Sequence, residues 1–127
     1  MAAERVLIDT SVLIEYFRKQ KKQATLFVQL ARDYEIAISV VTEFEWLVGF
    51  KDSNLEFGRE LLNNIDILPF DSICAIQASN IYRRLKAKNQ LIEISDIFIA
   101  ATSLSYNLPI ATINKNHFKR IDRVTFV

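Results

Sequence analysis

One cysteine, one histidine, two glycines and two prolines among 127 residues leave the chain short of the parts from which several kinds of protein are built. Cys74 has no partner for an internal disulfide, and its setting in the apolar-rich stretch SICAIQASNIY marks it as a small buried hydrophobe in a reducing compartment. A zinc site, which favours Cys and His, finds only Cys74 and His117. No apolar run approaches the roughly 18 residues that cross a bilayer, and Glu4 and Asp9 stand where a signal peptide is uncharged, so the expected location is cytoplasmic. The formal charge of +1 lacks the basic excess of proteins that hold phosphate chains nonspecifically. Linkers, internal repeats and low-complexity segments are absent as well.

What is present is a chain half apolar, with nine phenylalanines, long enough for a single domain over residues 1–127. Such a domain buries roughly two-thirds of the surface its unfolded form exposes. Its basic residues are gathered in three clusters: Arg18, Lys19, Lys21 and Lys22; Arg83, Arg84, Lys86 and Lys88; Lys115, Lys119, Arg120 and Arg123. Each alone reads as a solvated helix face, and together they are candidates for lining a groove that holds a phosphate chain.

Hydrophobic periodicity predicts strands alternating with helices. Arg5 to Asp9 is a short apolar run ending in an acid and feeding a helix through Val12, Leu13, Tyr16 and Phe17. A helix over Ala24 to Arg32 leads to a strand over Glu35 to Ser39. Thr42 is the expected cap of a third helix, carried to Lys51 by Phe44, Leu47, Val48 and Phe50, and a further helix spans about Leu55 to Ile65. A strand from Ile67 to Phe70 precedes a long helix marked by Ile73, Ile76, Ile81 and Leu85. Ser95 opens a helix apolar on most sides, and strands follow at Pro109 to Thr112 and Val124 to Val127. This order implies an α/β fold with a parallel sheet covered on both faces.

In such sheets chemistry gathers at the carboxyl ends of the strands. Asp9 closes the first strand, Glu45 lies in the first turns of the helix after the second, Asp96 opens the late apolar helix, and Asn114 follows the strand ending at Thr112. Brought together, three carboxylates and an amide face one cavity, with the hydroxyls of Thr10, Ser11 and Thr112 nearby. Clustered carboxylates raise one another's pKa unless a cation neutralises them. Oxygen ligands select Mg2+ or Mn2+, and such ions serve phosphoryl transfer. His117 alone supplies only one of the acid and base that a metal-free nuclease needs. Taken singly each residue has a plainer reading: Asp9 as a helix cap, Asp96 opposing a helix dipole, Asn114 as a turn former, His117 on the surface, and Trp46, Phe27, Phe57 and Phe98 in the core. Glu43 competes with Glu45, but its position suits helix-start electrostatics, while Glu45 sits amid Phe44, Trp46, Leu47 and Val48, where a carboxylate needs a partner.

Four segments spread over nearly the whole chain resemble the PIN-domain family. VLIDTSVLIEYF resembles the opening strand and first acid, Asp9; ISVVTEFEWLVG resembles the second motif, with its acid four before the glycine, Gly49, which selects Glu45 over Glu43. EISDIFIAATSLSYNLPIATINKNHFKRI resembles the third and fourth motifs together, with Asp96 as third acid and Asn114 where many members carry Asp or Asn. The chain departs from the pattern at His117, where an aspartate often precedes the late phenylalanine, and Asn114 leaves the site one charge poorer than Asp would.

The resemblance implies a PIN-like three-layer fold of about five mainly parallel strands, and a homodimer. It also implies the activity of short VapC-type toxins: metal-dependent endoribonucleases that leave a 5′-phosphate and a 3′-hydroxyl, cut structured RNA such as tRNA or rRNA, and are silenced by an antitoxin whose tail covers the acidic site. On this reading Asp9, Glu45, Asp96 and Asn114 are the catalytic set and metal ligands. Ser11 and Thr112 support them, Thr10 orients Asp9, and Arg18, Lys19, Arg83, Arg84, Lys115 and Lys119 are candidates for the RNA backbone. The alternatives are a PIN-fold binding module without activity, or an aspartyl-phosphate protein of the phosphatase or receiver type. The phosphatase pattern needs an aspartate where Ser11 stands, and receivers need a lysine where Thr112 and Ile113 stand.

Overall fold

The computed structural model describes residues 4–127. Its elements run β1 (Arg5–Ile8), α1 (Thr10–Arg18), a 3-10 turn (Lys22–Ala24), α2 (Leu26–Asp33), β2 (Glu35–Ser39), α3 (Val40–Val48), α4 (Leu55–Leu62), β3 (Asp66–Leu68), α5 (Ser72–Ala87), α6 (Ile94–Tyr106), β4 (Ile110–Ala111) and α7 (Lys115–Phe118). The strands form one parallel sheet in the order β3-β2-β1-β4. Of the fifth strand expected at Val124 to Val127, one parallel bridge remains, Phe126 beside Ile110 at the β4 edge.

Alternation along each strand divides the core into two layers. Leu7 of β1, Ala37 of β2 and Ile110 of β4 point to one face, where Ala78, Ile81 and Leu85 of α5, Ile97 and Ala101 of α6, and Phe118 of α7 cover them. Val6 and Ile8, Ile36 and Ile38, and Ala111 point to the other, against Val12 and Leu13 of α1, Leu30 of α2, Trp46 of α3 and Leu62 of α4. The strands are apolar on both sides because helices cover both sides.

Three local expectations are corrected. The cap of α3 is Ser39, whose Oγ accepts from the Thr42 backbone N–H at 3.1 Å, so β2 passes into the helix without a loop and Thr42 lies buried inside it. Phe44 and Val48, expected to carry that helix inward, are 67% and 66% exposed. On α5 the core face is Cys74, Ala78, Ile81 and Leu85, while Ile73 and Ile76 face outward. In both helices two apolar residues stand outside the buried stripe, a placement that simple counting of apolar positions misreads.

The chain steps from β1 to β2 to β3 in one direction, then α5 and α6 carry it back to β4 on the far side of β1. The carboxyl ends of β1 and β4 therefore flank the point where the winding reverses, the usual place for a site in an open parallel sheet.

Candidate active site

Asp9 sits at that reversal, between β1 and α1, and is 4% exposed. It occupies the N-cap position of α1 without a side-chain capping bond, and the Val12 backbone N–H only slightly favours its charged form, so capping is not its main contact. Asp71 shows what capping looks like here: its Oδ1 accepts from the Cys74 backbone N–H at 3.0 Å at the start of α5. The Asp9 oxygens instead accept from two hydroxyls, Oδ1 from Ser11 Oγ at 2.6 Å and Oδ2 from Thr112 Oγ1 at 2.6 Å. Burial pushes the Asp9 carboxyl above the usual aspartate range, the two hydroxyls pull it partway back, and the nearby charge of Asp96 raises it further. Among the described residues no lysine, arginine or histidine forms an ion pair with Asp9.

Asp96 lies in the first turn of α6, and its Oδ2 meets Nδ1 of His117 at 2.8 Å. The surface role expected for His117 is thereby corrected: its ring reaches into the acid group, from α7. Asn114, at the exposed entrance to α7, donates its backbone N–H to Thr112 Oγ1 at 2.9 Å and places its amide 3.3 Å from His117 Nδ1. Asp9, Thr112, Asn114, His117 and Asp96 thus form one run of neighbouring polar contacts. The departure of the sequence from the PIN pattern at His117 was the one signal that could have drawn attention to it.

Glu45 is reached from the other side. Thr10 Oγ1 donates to its Oε1 at 2.7 Å and also lies 3.2 Å from Thr42 Oγ1. The expectation that Thr10 orients Asp9 is therefore corrected: the residue after Asp9 opens α1 and faces α3. Glu43 has no such partner among the described residues. Ser11 performs two tasks, donating to Asp9 and accepting from the Ile113 backbone N–H at 3.2 Å.

The three carboxylates occupy one end of the sheet, but among the described residues no three acidic, histidine or cysteine side chains close around a single point as a metal cage would. Asp96 is bonded to His117 and Glu45 to Thr10. The donor set nevertheless fits a hard cation: it offers oxygens, one of its carboxylates is buried without a counter-charge, and the hydroxyls that hold that carboxylate leave lone pairs on both of its oxygens.

The basic clusters divide. Lys22 donates to the carbonyls of Tyr16, Phe17 and Lys19 at 2.6, 3.0 and 2.9 Å, closing the carboxyl end of α1, so this member of the first cluster is structural. Lys19 pairs with Glu15 at 3.5 Å. Arg18 lines a groove with Glu45, Phe17 and Phe50. Lys115 and Lys119 bracket His117 on the exposed side of α7, with Lys115 Nζ over the Phe126 ring at 5.7 Å. Arg83 is bound within α5 to Asn80 Oδ1 at 3.1 Å, and among the described residues neither it nor Arg84 forms an ion pair with an acid of the site. A second groove, lined by Val41, Phe44, Glu45, Ile94 and Phe98, is apolar apart from Glu45 and Ser95.

Residues 6–124 match the model of the PIN domain. The chain is 35% identical over 118 residues to Ribonuclease VapC1 of Methanocaldococcus jannaschii, a match covering 92% of this chain and 81% of that one. In structure it is similar to DNA-bound VapBC from Salmonella typhimurium, with a TM-score of 0.87, 21% identity and coverage of 98% of this chain and 97% of that one. A chain of a toxin-antitoxin complex from Klebsiella pneumoniae is also similar, with a TM-score of 0.76, 24% identity and coverage of 94% and 95%.

Proposed function

The chain belongs to the PIN-domain family, in its VapC group, and from that premise we propose that it is a metal-dependent endoribonuclease, the toxin of a toxin–antitoxin pair. The observation that carries the reading is Asp9: a buried carboxylate, raised in pKa by its burial and by Asp96, with no ion pair to a cationic side chain among the described residues. A charge in that position calls for a cation brought from solution.

Asp9, Glu45 and Asp96 are the residues that would hold the ion, with Asn114 at the rim. Mg2+ or Mn2+ bound there would supply the charge that activates a water for in-line attack on a phosphodiester and offsets the charge growing on the phosphate. Attack of water at phosphorus with departure of the 3′-oxygen, which takes up a proton, would leave a 5′-phosphate on one product and a 3′-hydroxyl on the other. The protein's part is orientation: Ser11 and Thr112 fix the two oxygens of Asp9, and Thr10 fixes Glu45. Arg18, in one groove with Glu45, and Lys115 and Lys119, on either side of His117, would hold the RNA backbone without reading its sequence, with Arg83 and Arg84 on α5 as further candidates. Structured RNA such as tRNA or rRNA is the proposed substrate, and the cytoplasm the proposed location.

The reading extends to partners. The apolar groove beside Glu45 suits the apolar face of an antitoxin segment that covers the acids. The outward Ile73 and Ile76 of α5 suit a second copy of the chain. Among the described residues no helix is long and apolar enough to cross a membrane. The aspartyl-phosphate alternative loses ground at Thr112, which stands where a receiver would place its lysine and bonds to Asp9 instead.

Cleavage of labelled total RNA with Mg2+, Mn2+ or EDTA, beside the Asp96→Asn variant, tests the proposal. Discrete fragments that vanish with EDTA and with the variant are expected. No cleavage under any condition, with no metal bound in a separate titration, would turn the reading to the inactive binding module.

A further inference from the structure

Within the run of polar contacts at the acid site, the bond from His117 to Asp96 has a particular place. Among the described residues, it is the one hydrogen bond that Asp96 makes through its side chain, and it goes to Oδ2, leaving Oδ1 unbonded. The nearer of the two neighbours of Nδ1 is the Asp96 carboxylate at 2.8 Å, an acceptor, to which the imidazole donates in the tautomer with its hydrogen on Nδ1; in that tautomer the Asn114 Nδ2, 3.3 Å from the same nitrogen, does not donate to it. We propose that His117 is a positioning residue for Asp96, holding one oxygen of that carboxylate so that the other is presented to a divalent cation beside Asp9. The proposal rests on the metal-dependent reading above and adds to it a residue outside the acid set.

Three features make His117 able to hold rather than merely touch. Its neighbour Phe118 is 1% exposed in the core layer of α5 and α6, so the short helix α7 is anchored directly beside the ring. The other end of α7 is tied through the Asn114 backbone N–H to Thr112 Oγ1, the hydroxyl that also grips Asp9. The imidazole itself is part-buried, which limits competition from water for Nδ1. The Asp9 carboxyl is raised chiefly by its burial and in smaller part by the charge of Asp96, so the two carboxylates repel each other. Without the imidazole, Asp96, in the first turn of α6, would turn away from Asp9 toward the free backbone N–H groups of its own helix. Ligands placed by a hydrogen-bonding neighbour typically lose about 10- to 100-fold in metal affinity when that neighbour is removed.

The chain has one histidine, so its imidazole signals need no assignment against others. In the metal-free protein at about pH 8, above the ordinary histidine range, nitrogen NMR of the ring should report hydrogen on Nδ1, and Asp96→Asn should change that signal. Titration of the full chain with Mn2+, followed by electron paramagnetic resonance, should show affinity lowered about 10- to 100-fold in His117→Ala. His117→Asn, whose Nδ2 stands near the place of Nδ1, should restore most of it; His117→Gln, with its amide one bond further out, should not. Melting temperatures of the three variants separate this from a folding defect, because positioning predicts similar stability with different affinity. Unmutated protein that binds no Mn2+ would overturn the metal reading itself. Unchanged Mn2+ affinity in His117→Ala, equal loss in all three variants, or a ring signal indifferent to Asp96→Asn would overturn the positioning role alone.

Discussion

Thr112 donates its hydroxyl to Asp9 across 103 positions of sequence, at 2.6 Å, and the same oxygen accepts from the Asn114 backbone N–H. A single side chain thus joins the end of β4 to the end of β1 at the point where the winding of the sheet reverses. Thr112→Val keeps the shape and removes the donor, leaving a buried carboxylate oxygen without its partner. The expected cost is about 1–3 kcal/mol in denaturant unfolding of the metal-free protein, and Thr112→Ser should recover most of it.

Asp9 has a folded pKa raised above its ordinary value of 3.8, chiefly by burial. The folded state therefore holds that proton more tightly than the unfolded state does. The stability this gives is fully present below the ordinary value and is lost as pH rises through the raised one. In EDTA, Asp9→Asn should accordingly melt higher than the unmutated chain near neutral pH, with the difference shrinking as pH falls toward 3.8. Mn2+ should raise the melting temperature of the unmutated chain and leave the variant where it was. A variant less stable than the parent at neutral pH would contradict the burial argument.

Glu43 and Glu45 lie two residues apart on α3, and only Glu45 is held by Thr10. Glu45→Gln can still accept the Thr10 hydroxyl, so its fold should persist while RNA cleavage falls by two or more orders of magnitude, on the order of a lost electrostatic contact in an active site. Glu43→Gln should cleave at close to the parental rate. Parallel rate measurements on the two variants distinguish the acids, and equal losses would refute the assignment.

Gly58 lies in the middle of α4, where glycine costs a helix about 1 kcal/mol relative to alanine. A Cβ there would stand 2.7 Å from the Phe50 ring, which is packed edge-on to Trp46 at 4.7 Å and Phe17 at 5.2 Å. Trp46 Nε1 also donates to the Gly58 carbonyl at 2.8 Å, fixing the helix at this distance. Overpacking outweighs propensity here: Gly58→Ala should lose about 1–2 kcal/mol in urea unfolding. Combining it with Phe50→Leu should cost less than the sum of the two single changes.

The placing of the acids is legible because the alternation of strand and helix predicts where strand ends meet: Asp9 directly follows β1, Asp96 lies in the first turn of α6, and Glu45 lies within α3, the helix that follows β2 without a loop. The partners of those acids were less legible. Thr10 and Ser11 are adjacent, and which of them turns to Asp9 depends on the exact start of α1, since successive helical positions point about 100° apart. The direction of α3 was lost for a similar reason: with Ser39 as cap the helix begins directly after β2, and Phe44 and Val48 fall on its outer face. His117 was hidden because a lone histidine carries no periodicity, and only the burial of Phe118 in the folded chain shows which way α7 is turned.

The dependence of Asp9, near the start of the chain, on Thr112, near its end, also sets a timetable. A chain made from its amino end has β1, α1, β2 and α3, with Asp9 and Glu45, well before it has β4 and α7. Thr112 and His117 are still to be made at that stage, so a ribosome would carry the growing chain through most of its synthesis with the acid group incomplete. Cutting power would arrive abruptly, when the late segment docks, and any partner meant to restrain it would have to be waiting by then.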